Sequence, residues 1–162
     1  MRHLSVSVRV CPWLCILFLS FPAFAQSEND FYRYLLKKPV ATQEEAVRSV
    51  ARFKGYHGAD NMDEELRFLD GQGVKFSRTI RSIGRQPVTK GEAAKMFLNA
   101  MRDAADQRGL LGRIFTGSRR FAARDGMAQK LLPKDSFANE FMSGAELLTM
   151  LGRAVEQTEK KP

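Results

Sequence analysis

Apolar residues return along this chain at helical spacing in one segment after another, and nowhere do they alternate convincingly as in a strand. Residues 27–38 place Phe31, Tyr34 and Leu35 at that spacing, and Pro39 should end the helix. Residues 42–54 put Ala46, Val47, Val50 and Phe53 on one face, followed by Gly55 where a helix end favours a left-handed residue. A short helix follows over 63–70, with Leu66 and Leu69 inward and an acidic first turn that suits the helix dipole. Gly71 and Gly73 stop it. Residues 74–86 are basic and irregular, a loop with one helical turn. The pattern then predicts a helix over 89–105, with Ala93, Met96, Phe97, Ala100 and Met101 inward. A short helix or turn falls among three glycines at 109–117, and another helix covers 118–132. Residues 133–142 form a connector carrying Phe137 and Phe141. A last helix covers 143–156, with Leu147, Leu148, Leu151 and Val155 inward, before a charged tail at 157–162. The predicted class is all-α: a compact bundle of short helices built from helix-loop-helix pseudo-repeats.

Three of these helices begin alike. Thr42-Gln43-Glu44-Glu45, Thr89-Lys90-Gly91-Glu92 and Ser143-Gly144-Ala145-Glu146 each set a hydroxyl residue three positions before a glutamate. That is the capping-box pattern, in which the hydroxyl accepts from an early helix N–H and the carboxylate reaches back to the cap N–H. Thr42, Thr89 and Ser143 are therefore expected caps, with Glu45, Glu92 and Glu146 as their partners. The starts are 47 and 54 residues apart, a spacing that suggests a repeat architecture.

The sequence helix, Gly-containing loop, Thr-x-x-Glu turn, helix resembles the S-layer homology module. Residues 63–101 would form one unit, residues 119–155 another, and residues 42–53 the second half of a truncated first one. The Thr-Lys-Gly-Glu turn and the later Arg-rich helix are also similar to those of exported bacterial proteins. The resemblance implies non-covalent attachment to cell-wall polysaccharide. It gives the position after the cap hydroxyl a contact with anionic glycan. Here that position holds Gln43, Lys90 and Gly144, so only Lys90 matches in charge. The module's aromatic–Ala pair is missing from its first helix.

The N-terminus changes the bookkeeping. Arg2 and Arg9 precede an apolar run over residues 11–25, and Ala23-Phe24-Ala25 fits a small-x-small cleavage site before Gln26. This predicts a signal peptide over 1–25, a short helix and linker over 26–40, and one helical domain over 41–156. The protein would then be exported, to the periplasm or the cell surface. Cleavage would remove Cys11, Cys15 and Trp13, leaving neither a disulfide nor a thiolate nucleophile.

Charge is unevenly distributed. Residues 26–74 carry 7 basic and 9 acidic side chains, residues 75–134 carry 14 and 4, and residues 135–162 carry 3 and 5. The net +10 of the middle section favours an anionic partner, with a solvated basic surface as the bland alternative. Its densest constellation is Arg113, Arg119, Arg120 and Arg124, continued by Lys130. Arg120 and Arg124 lie one turn apart on a helix, and guanidinium forks suit phosphate or carboxylate. Ser118 at the helix start would add free N–H groups to an anion site.

Catalytic chemistry is not evident. With His3 inside the expected signal peptide, His57 would stand without a second histidine, so no metal set is expected, although Asp60, Asp63, Glu64 and Glu65 are near in sequence. No nucleophile elbow or phosphate loop occurs, and no cofactor is implied. The expectation is a non-enzymatic cell-envelope binding or scaffolding protein. Its basic surface would meet an anionic cell-wall polymer or glycan, or an acidic envelope protein. Peripheral membrane association is compatible with this, and nucleic acid is not expected. One alternative is an obligate subunit of a larger assembly, showing an apolar patch around Phe31, Tyr32, Tyr34, Phe137 and Phe141. Another is an envelope hydrolase, with Glu92 and Glu146 as the carboxylate pair.

Overall fold

A computed structural model describes residues 22–101 and 118–160. The expected turn at 109–117, Arg113 and most of the expected signal peptide lie outside the described residues. Within them the protein is all-α, with six α-helices and no named strand. They are α1 (Pro22–Lys37), α2 (Gln43–Phe53), α3 (Met62–Gly71), α4 (Lys90–Met101), α5 (Arg119–Ala128) and α6 (Gly144–Glu159). A single 3-10 turn, Arg78–Arg81, occupies the basic loop between α3 and α4.

Helix α4 is the central element. It buries Ala93, Ala94, Met96, Phe97, Leu98 and Ala100, apolar on nearly every side, as expected of a helix surrounded by others. Helix α5 packs closely on it because both helices carry small residues at the contact. A Cβ on Gly126 would meet Ala94 Cβ at 3.1 Å, and one on Gly91 would lie 2.7 Å from the Arg119 carbonyl oxygen. Helix α2 packs against α3, α4 and α6, and α1 lies along α6. Phe31 and Leu35 of α1 are buried, as are Val47, Val50 and Ala51 of α2.

Several element boundaries differ from the sequence expectation. Helix α1 starts before the expected cleavage point and runs through it. Helix α5 ends at Ala128 instead of 132. Leu131 N–H donates to Gly126 O at 2.8 Å and Lys130 N–H to Met127 O at 3.0 Å, the paired bonds that close a helix end. This turn sends Leu131 and Leu132 into the core. In α6 the buried stripe is Leu147, Met150 and Ala154, while Val155 is exposed. Burial against α1, α2 and α4 selects the stripe rotated by one position from the expected one.

The three capped helices converge. Thr42, Thr89 and Ser143 each accept from the N–H of their glutamate, at 3.4, 3.3 and 3.3 Å. Glu45, Glu92 and Glu146 accept in return from the cap N–H groups at 2.7, 3.1 and 2.8 Å. The residue before each cap enters a closed ring of backbone bonds. Ala41 N–H donates to Met142 O at 2.8 Å, Met142 N–H to Val88 O at 3.0 Å, and Val88 N–H to Ala41 O at 2.9 Å. Each first-turn N–H then bonds the neighbouring segment: Gln43 to Gln86 O, Lys90 to Glu140 O and Gly144 to Lys38 O, at 2.9, 2.9 and 3.0 Å. Helix ends normally leave such donors unmatched; here they join the segments to one another.

Candidate anion-binding groove

The side chains after the caps continue this cycle. Gln43 Nε2 donates to Glu92 at 2.9 Å, so the α2 start reaches the α4 cap. Lys90 Nζ reaches Glu146 at 2.8 Å and Glu140 at 2.9 Å, joining the α4 start to the α6 cap. Gly144 has no side chain to offer, and Lys38 of the α1 end supplies the cation for Glu45. The missing side chain is a requirement of the packing, since a Cβ there would fall 1.8 Å from the Leu35 carbonyl oxygen.

Lys90 is thereby placed inside the fold. Burial alone would lower its pKa, but the hydrogen bonds and charges of Glu146 and Glu140 raise it above 10.5. Burial pushes the Glu146 carboxyl up, and the Lys90 ammonium together with the Ser143 donors holds it below 4.5. The cation expected to meet a glycan instead joins α4 to α6. Glu92 and Glu146 likewise serve as caps and cation partners.

The arginine constellation is divided. Arg119 pairs with Glu92 at 2.9 Å. Ser118 is the N-cap residue of α5, but its side chain makes no capping bond. Arg120 and Arg124 lie exposed on α5 and form no ion pair with a described carboxylate. Lys130 belongs to a different surface, beyond the other end of that helix.

There, Lys130 joins a groove of about 400 Å³ between the α5–α6 connector and the C-terminal half of α6. Its cations are Lys130, Lys134, Arg153 and Lys160, against one carboxylate, Glu156, a net +3. None of the four cations pairs with a carboxylate among the described residues. Met127, Leu132 and Pro133 provide the apolar part of the wall. Arg153 donates to Leu131 O at 3.3 Å and Gln157 to Gln129 O, so α6 is fastened to the turn that carries Lys130.

Sequence reasoning missed Arg153, Lys134 and Lys160 as members of one site. Arg153, Gln157 and Lys160 follow each other at i, i+4 and i+7 on α6, the one available signal. It was hidden by the net negative charge of residues 135–162. Two of the acidic residues there, Glu140 and Glu146, are turned toward Lys90.

A second cavity of about 370 Å³ is lined by Tyr34, Lys38, Thr42, Glu44, Glu45, Arg48 and Arg85, with mixed charge. Beside it, Arg48 binds the fully buried Glu65 at 2.7 Å and Glu44 at 3.0 Å, and its guanidinium lies 5.7 Å from the Phe31 ring centre. Burial raises the Glu65 carboxyl above 4.5 against the opposing pull of Arg48. Among the described residues, no group of three or more His, Cys, Asp or Glu side chains is arranged to hold a metal ion. No described helix is long and apolar enough to cross a membrane. No protein-family model, curated protein or solved structure matches this chain.

Proposed function

We propose that the protein is an exported, non-enzymatic binding or scaffolding module of the cell envelope, holding an anionic partner through its basic surface. The observation that carries this reading is the groove of Lys130, Lys134, Arg153 and Lys160, whose charge no described carboxylate pairs with. Arg120 and Arg124 extend the cationic surface along α5. Long-range attraction of this kind raises the local concentration of an anionic polymer and weakens with salt. The capped, cyclically joined helices would be the scaffold, in keeping with the S-layer-homology-like pattern.

The test is retention of the chain from Gln26 onward on purified sacculi, membranes and envelope extract. Retention at low salt that is released at high salt is expected. Failure to bind every fraction at low salt would sink the proposal.

A second reading, an obligate subunit of an envelope assembly, is favoured by exposed apolar side chains. Phe137 is 77% exposed, and Leu36, Phe141 and Tyr34 are 60%, 57% and 56% exposed, whereas Phe31 is buried. Phe137→Ser with Phe141→Ser should leave the isolated fold unchanged and abolish co-purification of the partner. Co-purification unaffected by both changes would remove this reading.

A further inference from the structure

We propose that the groove between the α5–α6 connector and α6 takes the phosphate head of an anionic lipid with the first part of its acyl chain, and that Lys130 is kept at its backbone position for this ligand. The inference rests on the envelope-binding reading and names the partner of that surface.

Charge comes first. The groove offers net +3 from four cations and Glu156. A phosphate monoester carries about −1.5 to −2 at neutral pH and matches this better than a single carboxylate. Lysines meet phosphate as point charges, and Arg153 adds a planar fork beside them.

The second argument is the wall. Met127 and Pro133 stand among the cations, above the buried Leu132, and the lysine stems add further carbon. A purely hydrophilic anion would leave this surface uncovered; an acyl chain leading away from the head would cover it.

The third observation is independent of the groove's composition. Lys130 has φ of +57°, the only non-glycine residue with positive φ among the described residues. It sits just past the end of α5, where the chain turns left-handed and glycine is the usual occupant. A side chain in that region costs on the order of 1–2 kcal/mol. The turn itself needs only the backbone conformation that buries Leu131, which glycine would adopt more readily. The fold thus keeps a cation at a position where removing the side chain relieves strain. Strain retained in this way is a mark of a functional site.

The same residue supplies the test, because its substitution separates folding from binding. Dodecyl phosphate is titrated into the protein while the Met127 methyl group is followed by NMR. Inorganic phosphate and the neutral dodecyl maltoside are parallel arms, as are vesicles with and without phosphatidic acid. Dodecyl phosphate should shift Met127, inorganic phosphate and the maltoside should bind much more weakly, and vesicle binding should require phosphatidic acid. Lys130→Gly should melt at an equal or higher temperature yet bind about fivefold more weakly, the loss carried by one lysine near an anionic lipid surface. Lys130→Arg should restore binding. Equal binding of inorganic phosphate or of the maltoside would overturn the proposal, as would a Lys130→Gly variant with unchanged affinity. Retention on envelope fractions without binding to any lipid probe would overturn it too, while leaving the broader reading intact.

Discussion

Replacing Gly144 by alanine tests whether the joined caps hold α1 in place. Helix propensity favours the change by about 1 kcal/mol, because glycine is costly in a helix. The geometry demands the opposite sign. The new Cβ would lie 1.8 Å from Leu35 O and 2.8 Å from Leu35 C, and backbone cannot yield as a flexible side chain does. Displacing the end of α1 would break the Gly144 N–H bond to Lys38 O, worth about 1 kcal/mol. It would also partly expose Leu35 and Phe31, each contributing about 1.5–3 kcal/mol when fully buried. With relaxation sharing the strain, a net loss of about 3 kcal/mol is expected, a large part of a stability on the order of 5–15 kcal/mol. Gly152→Ala is the matched control. It lies in the same helix, is exposed, and has nothing within 4 Å of the added carbon, so it should gain about 0.5–1 kcal/mol. Urea unfolding of both variants decides the matter. If Gly144→Ala stabilises the protein as Gly152→Ala does, the account of the α1–α6 junction is wrong.

Lys90→Met should cost about 2 kcal/mol in urea unfolding, because Glu140 and Glu146 lose their shared cation while remaining half open to water. A variant of unchanged stability but weakened envelope binding would return Lys90 to the ligand site. Acid should weaken the Glu146 junction. Its pKa is depressed in the folded state, so its contribution is present above 4.5 and lost as pH falls through the folded value; Glu146→Gln should flatten the acid limb of the stability profile. Glu65 has the reverse sign. Its raised pKa makes its contribution largest below 4.5 and lost as pH rises through the folded value, so Glu65→Gln should gain on wild type between acid and neutral pH. No change in the pH dependence of that difference would contradict the buried placement of Glu65.

The features legible in the sequence were those set by neighbouring residues. A hydroxyl three positions before a glutamate forms the same capping box in almost any helix, so Thr42, Thr89 and Ser143 could be named as caps from spacing alone. The role of Lys90 was not legible, because its partners lie 50 and 56 residues further along. Its position showed a cation but not the two carboxylates that approach it. The buried stripe of α6 was legible only in part, with Leu147 named but Met150 and Ala154 not, for a related reason. Leu148, Leu151 and Val155 fit a helical face as well as Met150 and Ala154 do, and only the packing of three neighbouring helices chooses between them. The groove was hidden by averaging, since Arg153 and Lys160 sit in a net acidic section. Lys130 could be named as an anion-site candidate from the run of charge, but neither its left-handed backbone nor its place in a groove apart from Arg120 and Arg124 was legible.

The ring of Ala41, Val88 and Met142 bears on how the chain folds. Its three bonds link positions 47, 54 and 101 residues apart in sequence, and the last two cannot form until the segment around Met142 arrives. Until then Ala41 N–H and Val88 O lack their native partners, and the cap segments of α2 and α4 are joined on one side only. Long-range closure of this kind carries an entropic cost that local helix formation does not offset, and it slows folding relative to a simple bundle. A chain truncated before Met142 should hold helices without a fixed arrangement. On the proposed reading as an exported protein, a late-closing ring would postpone native packing until nearly all of the chain has crossed the membrane.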